Sequence, residues 1–321
     1  MTVRLGVVMD PIDSIKPYKD TTLAMLLEAQ RRGWDLHYMT LTDIALHGGD
    51  AWARSRTVQV WDDNADWFAL GEPREHPLSS LDAILMRKDP PVDSEYIYAT
   101  HILEAAERAG AAVFNSPRGL RDAQEKLFTA HFPELCAASL VSMEAATVKA
   151  FIHEHGKVVL KPLYGMGGEA VFVVEAGDPN TSVIIETLTH RGARYVMAQR
   201  YLPAIKDGDK RILVIDGEPV PYALARIPAA GETRGNIAAG GRGEGLSLTE
   251  RDREICARVA PAIRQRGLGF VGLDVIGDWL TEINVTSPTC VRELDAIYDI
   301  NISATYLDYV ERTLNARSKN A

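Results

Sequence analysis

The sequence predicts an α/β chain: an N-terminal parallel-sheet domain, residues 1–122, followed by two α+β subdomains, residues 123–203 and 204–321. Three observations carry this. Apolar runs and helical spacings alternate through the first 114 residues, the pattern of a parallel sheet with helices on its faces. Two tight-turn dipeptides, Asp216-Gly217 and Gly277-Asp278, each lie between strand-like runs. The 321 residues exceed one ordinary core, and a composition 46% hydrophobic and 25% charged supplies apolar material for more than one.

Residues 3–8 read as a buried strand, Thr21 to Arg32 as a helix stopped by Gly33, and Asp35 to Met39 as a second strand. Ala83 to Met86 is a third strand. A helix from about Glu95 to Ala109 ends at Gly110, and Ala111 to Phe114 is a fourth strand, closed by Asn115-Ser116-Pro117. The second unit holds a helix over Thr147–His155, strands over Val158–Lys161 and Ala170–Val174, a helix over Thr181–Thr189 and a strand over Tyr195–Gln199. The third holds two hairpins, Arg211–Ile215 with Glu218–Arg226 and Gly269–Ile276 with Leu280–Val285. Between them Pro228–Gly245 has six glycines and no apolar periodicity, which predicts a lid or a disordered loop. Helices over Thr249–Arg266 and Ser303–Asn315 follow, then a polar tail expected to fray.

Composition removes several function classes. No apolar run approaches the ~20 residues of a membrane span. The apolar N-terminus runs into Asp10-Pro11 rather than a small-residue cleavage site, so it reads as a strand and the protein as cytoplasmic. Cys136, Cys256 and Cys290 lie far apart, against a disulfide framework or a zinc site. The eight histidines form no metal-like cluster. A net charge of −9 argues against a nucleic-acid partner but leaves room for an anionic substrate in a local basic pocket.

Asp274, Glu282 and Asn284 are oxygen donors suited to a hard cation such as magnesium. Glu282 and Asn284 are two apart on one strand and share a face. A strict two-residue turn at Gly277-Asp278 pairs Asp274 with Thr281 and sends Glu282 to the opposite face. A longer loop or one bulge pairs Asp274 with Glu282, and this is the register expected. The alternative is a solvated acidic face. The run Lys161-Pro162-Leu163-Tyr164-Gly165-Met166-Gly167-Gly168 offers backbone amides and one cation to phosphate, or is simply a hairpin turn. Its lysine precedes the glycines, so it is not the Gly-x-x-x-x-Gly-Lys-Ser/Thr loop. Arg234, in the glycine-rich stretch, could close over a transferring phosphoryl group. Arg87-Lys88-Asp89-Pro90-Pro91 and Asp10-Pro11 follow parallel strands, where ligands of open α/β sheets bind, or are surface turns. Cys290 reads as a small buried residue.

Together these segments closely resemble the bacterial glutathione synthetase family within the ATP-grasp superfamily, over nearly the whole chain. The matching stretches include Met9-Asp10-Pro11, Met86 to Pro91, Lys161-Pro162, Gly165 to Gly168, Gln199-x-Tyr201-Leu202-Pro203 and Lys206 to Arg211. The most specific are Gly231-Glu232-Thr233-Arg234-Gly235-Asn236 and Thr281-Glu282-Ile283-Asn284-Val285-Thr286-Ser287-Pro288. Tyr164 departs from the family, which usually has aspartate there. The resemblance implies ATP between the two α+β subdomains as co-substrate, gripped by Lys126 and Lys161, by Gly165, Gly167 and Gly168, and by Gln199, Tyr201 and Leu202, with Asp209 near the nucleotide. It implies magnesium, or manganese in its place, on Asp274, Glu282 and Asn284. It implies further that Arg211, Arg226 and Arg234 stabilise the transferring group and that Arg87, Lys88, Ser287 and Arg292 bind the peptide. The reaction implied joins γ-glutamylcysteine to glycine through an acyl phosphate, in a homo-oligomer. Rival readings are another carboxylate–amine ligase of the superfamily, of the D-alanine–D-alanine or glutamate-adding type, and a non-catalytic nucleotide-binding protein.

Overall fold

The computed structural model describes residues 2–165, 167–229 and 241–320. Its first sheet grows from β1 (Arg4–Val8), buried from Leu5 onward because neighbours flank it on both edges and both faces are covered. Helix α1 (Thr21–Arg31) starts at Asp20, whose carboxylate accepts from the Leu23 amide at 2.6 Å. Strand β2 (Asp35–Met39) returns parallel to β1. Residues 44–77, for which the sequence suggests no element, form an antiparallel meander of β3 (Ile44–His47), β4 (Asp50–Val60) and β5 (Phe68–Pro77), joined to the edge of β2 through β4. Then β6 (Ala83–Met86), α2 (Ser94–Arg108), β7 (Ala112–Phe114) and α3 (Pro117–Asp122) complete the unit, with β6 parallel to β1 and β7 parallel to β6.

The middle unit comprises β8 (Ser139–Ser142), α4 (Ala145–His155), β9 (Lys157–Pro162), β10 (Phe172–Glu175), α5 (Thr181–Leu188) and β11 (Val196–Arg200). Its antiparallel sheet has the order β10-β9-β11-β8. The last unit holds β12 (Asp209–Ile215), β13 (Glu218–Ile227), β14 (Arg242–Ser247), α6 (Glu250–Gln265), β15 (Phe270–Ile276), β16 (Trp279–Asn284), α7 (Val291–Tyr298) and α8 (Ile302–Asn320), in sheet order β14-β13-β12-β15-β16.

Two expectations need correcting. The far end of the glycine-rich stretch is strand, not loop: β14 pairs along β13 from Ile227↔Arg242 to Tyr222↔Ser247. Glycine is required there, since a Cβ on Gly245 would stand 2.7 Å from the Tyr298 ring, itself stacked on Tyr222. The helix expected to end at Asn315 is longer. Helix α8 runs on to Asn320, and Arg317 donates to the Ala111 carbonyl at 3.0 Å.

The apolar interior is divided unevenly. Val8, Ile84 and Met86 of the first unit form one cluster with Leu273, Ile283 and Val285 of the last, and Leu5 and Val7 join Phe270, Leu294 and Tyr306 in another. Buried Asn115 stitches the two: its amide nitrogen donates to the Phe270 and Val285 carbonyls, both at 2.8 Å, and its oxygen accepts from Phe270 N at 2.9 Å. The middle unit keeps a separate cluster, with Val148, Ile152, Leu160, Ile185 and Val196 among its members.

Candidate active site

A cavity of about 730 Å³ opens between the middle sheet and the last sheet, and reaches the loops after β1 and β6. Its wall from the last unit depends on one backbone irregularity. Gly272 pairs with Asn284, Asp274 with Glu282, and Val275 with Leu280, so Thr281 is an extra residue in β16. The turn at Gly277-Asp278 is tight, and the bulge restores the face. The Thr281 hydroxyl donates to the Asp274 carbonyl at 3.1 Å and holds the bulge. Asp274, Glu282 and Asn284 therefore all line the cavity, as the expected register requires.

Asp274 is buried between two guanidiniums. Arg211 meets it with Nε and, at 3.1 Å, with Nη2, and Arg226 Nη2 lies at 2.9 Å. Arg226 is shared with Asp209. Burial pushes the Asp274 carboxyl up, but Arg211 and Arg226 outweigh it and hold the group well below the usual carboxylate range. Asp209 goes the other way, to about 6: burial dominates, Arg226 opposes it only in part, and Asp274 repels it. Two carboxylates competing for one guanidinium split in this way. One oxygen of Asp209, Oδ1, is buried with no hydrogen-bond partner among the described residues.

Across the cavity, Lys126 Nζ lies 2.9 Å from Glu282 Oε1, and Lys161 Nζ donates to Gln199 Oε1 at 3.2 Å. Burial lowers both ammoniums. For Lys126 the charge of Glu282 more than compensates and the group sits above the usual lysine value; for Lys161 burial wins and the group sits below it. Gly165, Gly167 and Gly168 have φ of +90°, +73° and +76°, which only glycine adopts without strain. Tyr164, the departing residue, lines the cavity; its ring lies under the Arg194 guanidinium at 4.8 Å and its hydroxyl is 3.2 Å from His190 Nε2. Tyr201, Leu202 and Ser287 also line the cavity.

Other expected residues stand elsewhere. Arg87 is buried behind the wall, donating to the Thr22 hydroxyl at 3.1 Å and the Pro288 carbonyl at 3.0 Å. Lys88 pairs with Asp10 at 2.9 Å, and Arg292 pairs with Asp62. None of the three lines the cavity. Arg234 and most of the glycine-rich stretch lie outside the described residues. Glu125, which sequence reasoning missed, lines the cavity and supports the chain where it leaves β16: its Oε1 accepts from Val285 N at 2.9 Å, Thr286 N at 3.1 Å and the Thr286 hydroxyl at 2.9 Å. Burial, then the charge of Glu282, raises its carboxyl. Its only sequence signal is adjacency to Lys126.

The donor set suits a hard divalent cation. Asn284 Nδ2 donates to the Gly272 carbonyl at 3.2 Å; a carbonyl can only accept, so the amide nitrogen is committed there and the amide oxygen is left free to meet a cation. Among the described residues no group of three or more His, Cys, Asp or Glu is placed for a metal, so a cation held here would draw on this amide as well as on the two carboxylates.

Two family models cover the chain: "Prokaryotic glutathione synthetase, N-terminal domain" matches residues 3–121 and "Prokaryotic glutathione synthetase, ATP-grasp domain" matches residues 125–299. The chain belongs to the prokaryotic glutathione synthetase family. It is 60% identical to the glutathione synthetase of Yersinia pestis over 313 residues, 97% of this chain and 98% of that one. It is 59% identical to that of Pseudomonas putida over 317 residues, 99% and 100% of the two chains. Solved structures extend the fold likeness beyond the family. D-cycloserine synthetase DcsG aligns with a TM-score of 0.67 at 15% identity, covering 97% of this chain and 99% of that one. The macrocyclase MdnC from Microcystis aeruginosa, bound with its precursor peptide, aligns with a TM-score of 0.60 at 16% identity, covering 97% and 100%. As a family member the chain has the ATP-grasp fold. Among the described residues no helix is long and apolar enough to cross a membrane.

Proposed function

We propose that this chain joins γ-glutamylcysteine to glycine, giving glutathione, ADP and phosphate through an acyl phosphate. The single observation that carries the reading is the guanidinium pair: Arg211 and Arg226, fixed on Asp274, line the same cavity as Lys126, Lys161 and the glycine loop. Such a cavity suits two anions brought together, a nucleotide's phosphates and a carboxylate.

In this reading ATP lies between the middle subdomain, 123–203, and the last, 204–321, with 1–122 supplying the substrate side. Backbone groups of Gln199, Tyr201 and Leu202 meet the adenine edge, Asp209 lies near the nucleotide, and the amides around Gly165, Gly167 and Gly168 cradle phosphate. Lys126 and Lys161 neutralise phosphate charge. Asp274, Glu282 and Asn284 would hold magnesium, or manganese in its place, which supplies further neutralisation on the phosphates. The C-terminal carboxylate of γ-glutamylcysteine attacks the γ-phosphorus and ADP departs. The glycine amine then attacks the acyl carbon, the C–O bond to phosphate breaks, and phosphate leaves as the amine loses a proton. Arg211 and Arg226 stabilise the acyl phosphate and the tetrahedral oxyanion, a role proposed for Arg234 as well. No side chain becomes covalently attached, so positioning and fixed charge supply the rate. Ser287 is proposed as a substrate contact. Arg87, Lys88 and Arg292 act on the substrate at most by holding the loops around it.

The test is phosphate release. Protein with ATP, magnesium and γ-glutamylcysteine should release phosphate only once glycine is added. Release driven by D-alanine alone, or none at all, overturns the reading.

A further inference from the structure

Lys126 and the glycine loop line one cavity but stand far apart in the sequence. The loop leaves β9 after Pro162, and the β9–β10 ladder is not met again until Phe172 pairs with Leu160. A glycine-rich stretch outside a ladder has much conformational freedom to lose, and a ligand that must order it binds more weakly. Among the described residues, two side-chain hydrogen bonds tie this loop to the rest of the protein. In one, Gln124 Nε2 donates to the Leu163 carbonyl at 2.5 Å. The other joins the Tyr164 hydroxyl to His190. The turn that presents His190 is itself firmly built. Buried Thr189 donates its hydroxyl to the Ile185 carbonyl at 2.7 Å and accepts there from Gly192 N at 3.1 Å, while its carbonyl accepts from Arg194 N at 2.8 Å.

Gln124 does more than hold Leu163. Its Oε1 accepts from Lys126 N at 3.0 Å and Leu127 N at 2.7 Å. The amide has one possible orientation, since two backbone N–H groups can only donate and the Leu163 carbonyl can only accept. One side chain therefore bonds the backbone at Lys126 and at the entrance to the glycine loop, and it does so from outside the cavity wall. We propose that Gln124 is a positioning residue for the nucleotide's phosphates: it locks Lys126 and the glycine loop into one unit before ATP arrives, with Tyr164 as a second tie. The proposal rests on the function above, which takes this loop as the phosphate cradle. The side chain spends its donor on the loop and its acceptor on the Lys126 turn, so the two ties can be cut separately.

Gln124→Glu cuts one of them in the whole protein. The carboxylate still accepts from Lys126 N and Leu127 N, but has no hydrogen for the Leu163 carbonyl. The Kd for a non-hydrolysable ATP analogue with magnesium, read by calorimetry, should rise about tenfold. The KM for ATP should rise with it, while kcat at saturating ATP stays within about twofold of the parent. Without nucleotide, a glutamate-specific protease should cut after Glu169 about tenfold faster than in the parent, and the analogue should protect both proteins. Tyr164→Phe keeps the ring under Arg194 and loses the His190 bond, so it should show the same pattern at about twofold to threefold. Parent-like affinity in Gln124→Glu overturns the proposal. So does weaker binding with parent-like cleavage, which would mark the new charge rather than a freed loop. A parent cut after Glu169, without nucleotide, as fast as a synthetic peptide of residues 160–175 overturns it even if the variant fails to fold. A parent that binds no nucleotide removes the proposed function instead.

Discussion

Replacing Asp274 by asparagine unbalances a buried cluster of four charges. Arg211 and Arg226 face Asp274 and Asp209, two cations against two anions, with Arg211 and Arg226 only 5% and 9% exposed. The amide cannot neutralise the guanidiniums it would touch, and breaking a buried pair from one side costs about 3–5 kcal/mol. At roughly 2 °C per kcal/mol for a chain this long, the melting temperature should fall by about 6–10 °C. A second signature is sharper. Burial lifts the Asp209 carboxyl to about 6 in the folded protein, above the roughly 3.9 of a free aspartate, so between those values the folded state binds more protons than the unfolded state. Stability contributed by this group therefore falls as pH rises through that window. Asp274, held low, loses its own contribution only at lower pH, outside the window. In the variant Arg226 serves Asp209 alone and the repulsion from Asp274 is gone, so the Asp209 carboxyl should drop and the slope flatten. Scanning calorimetry from pH 4.5 to 7 measures both effects. A melting temperature within about 2 °C of the parent, or an unchanged slope, refutes this account of the cluster.

Glu282→Gln should keep the fold but lower glycine-dependent phosphate release by two orders of magnitude or more, about 2.7 kcal/mol in barrier; unchanged turnover removes Glu282 from the site. Glu125→Ala strands the Val285 and Thr286 amides and the Thr286 hydroxyl, at about 1–3 kcal/mol for each group left unmet. Its urea midpoint should fall clearly, and a midpoint equal to the parent's would mean water replaces the carboxylate fully. Gly272→Ala puts a Cβ 2.8 Å from Arg211 Cδ and 3.1 Å from Pro288 Cβ, so kcat/KM should fall more than the 1–3 kcal/mol expected of overpacking in stability. Equal losses in the two measurements would mean Arg211 holds its place.

The parallel core of the first unit was legible because its strands are apolar on both faces. The meander after it was not. Strand β4 buries Ala51, Ala53 and Ser55 on its inward face, small residues with too little apolar contrast to mark a period of two. Strand β8 is an edge strand with an exposed end and shows the same weakness. The bulge at Thr281 could be argued beforehand because two ligand-type residues had to share a face, so the chemistry constrained the geometry. Arg87 shows the opposite limit. Its charge and its place after a strand suggest a ligand, while its partner is a carbonyl 201 positions away that only the folded chain brings to it. Glu125 is hidden for the same reason, since its three donors lie 160 positions or more downstream.

The separate interior of the middle unit has a consequence for how this enzyme can change. A substitution at Ile185 or Val196 alters a neighbourhood that ends before Phe270, Leu273 and the strands carrying Asp274 and Glu282. Drift in the interior of the middle unit is thus shielded from the sheet that carries Asp274 and Glu282. On the proposed function, the middle unit's share of the cavity wall becomes a part that selection can adjust without rebuilding the core behind the facing wall.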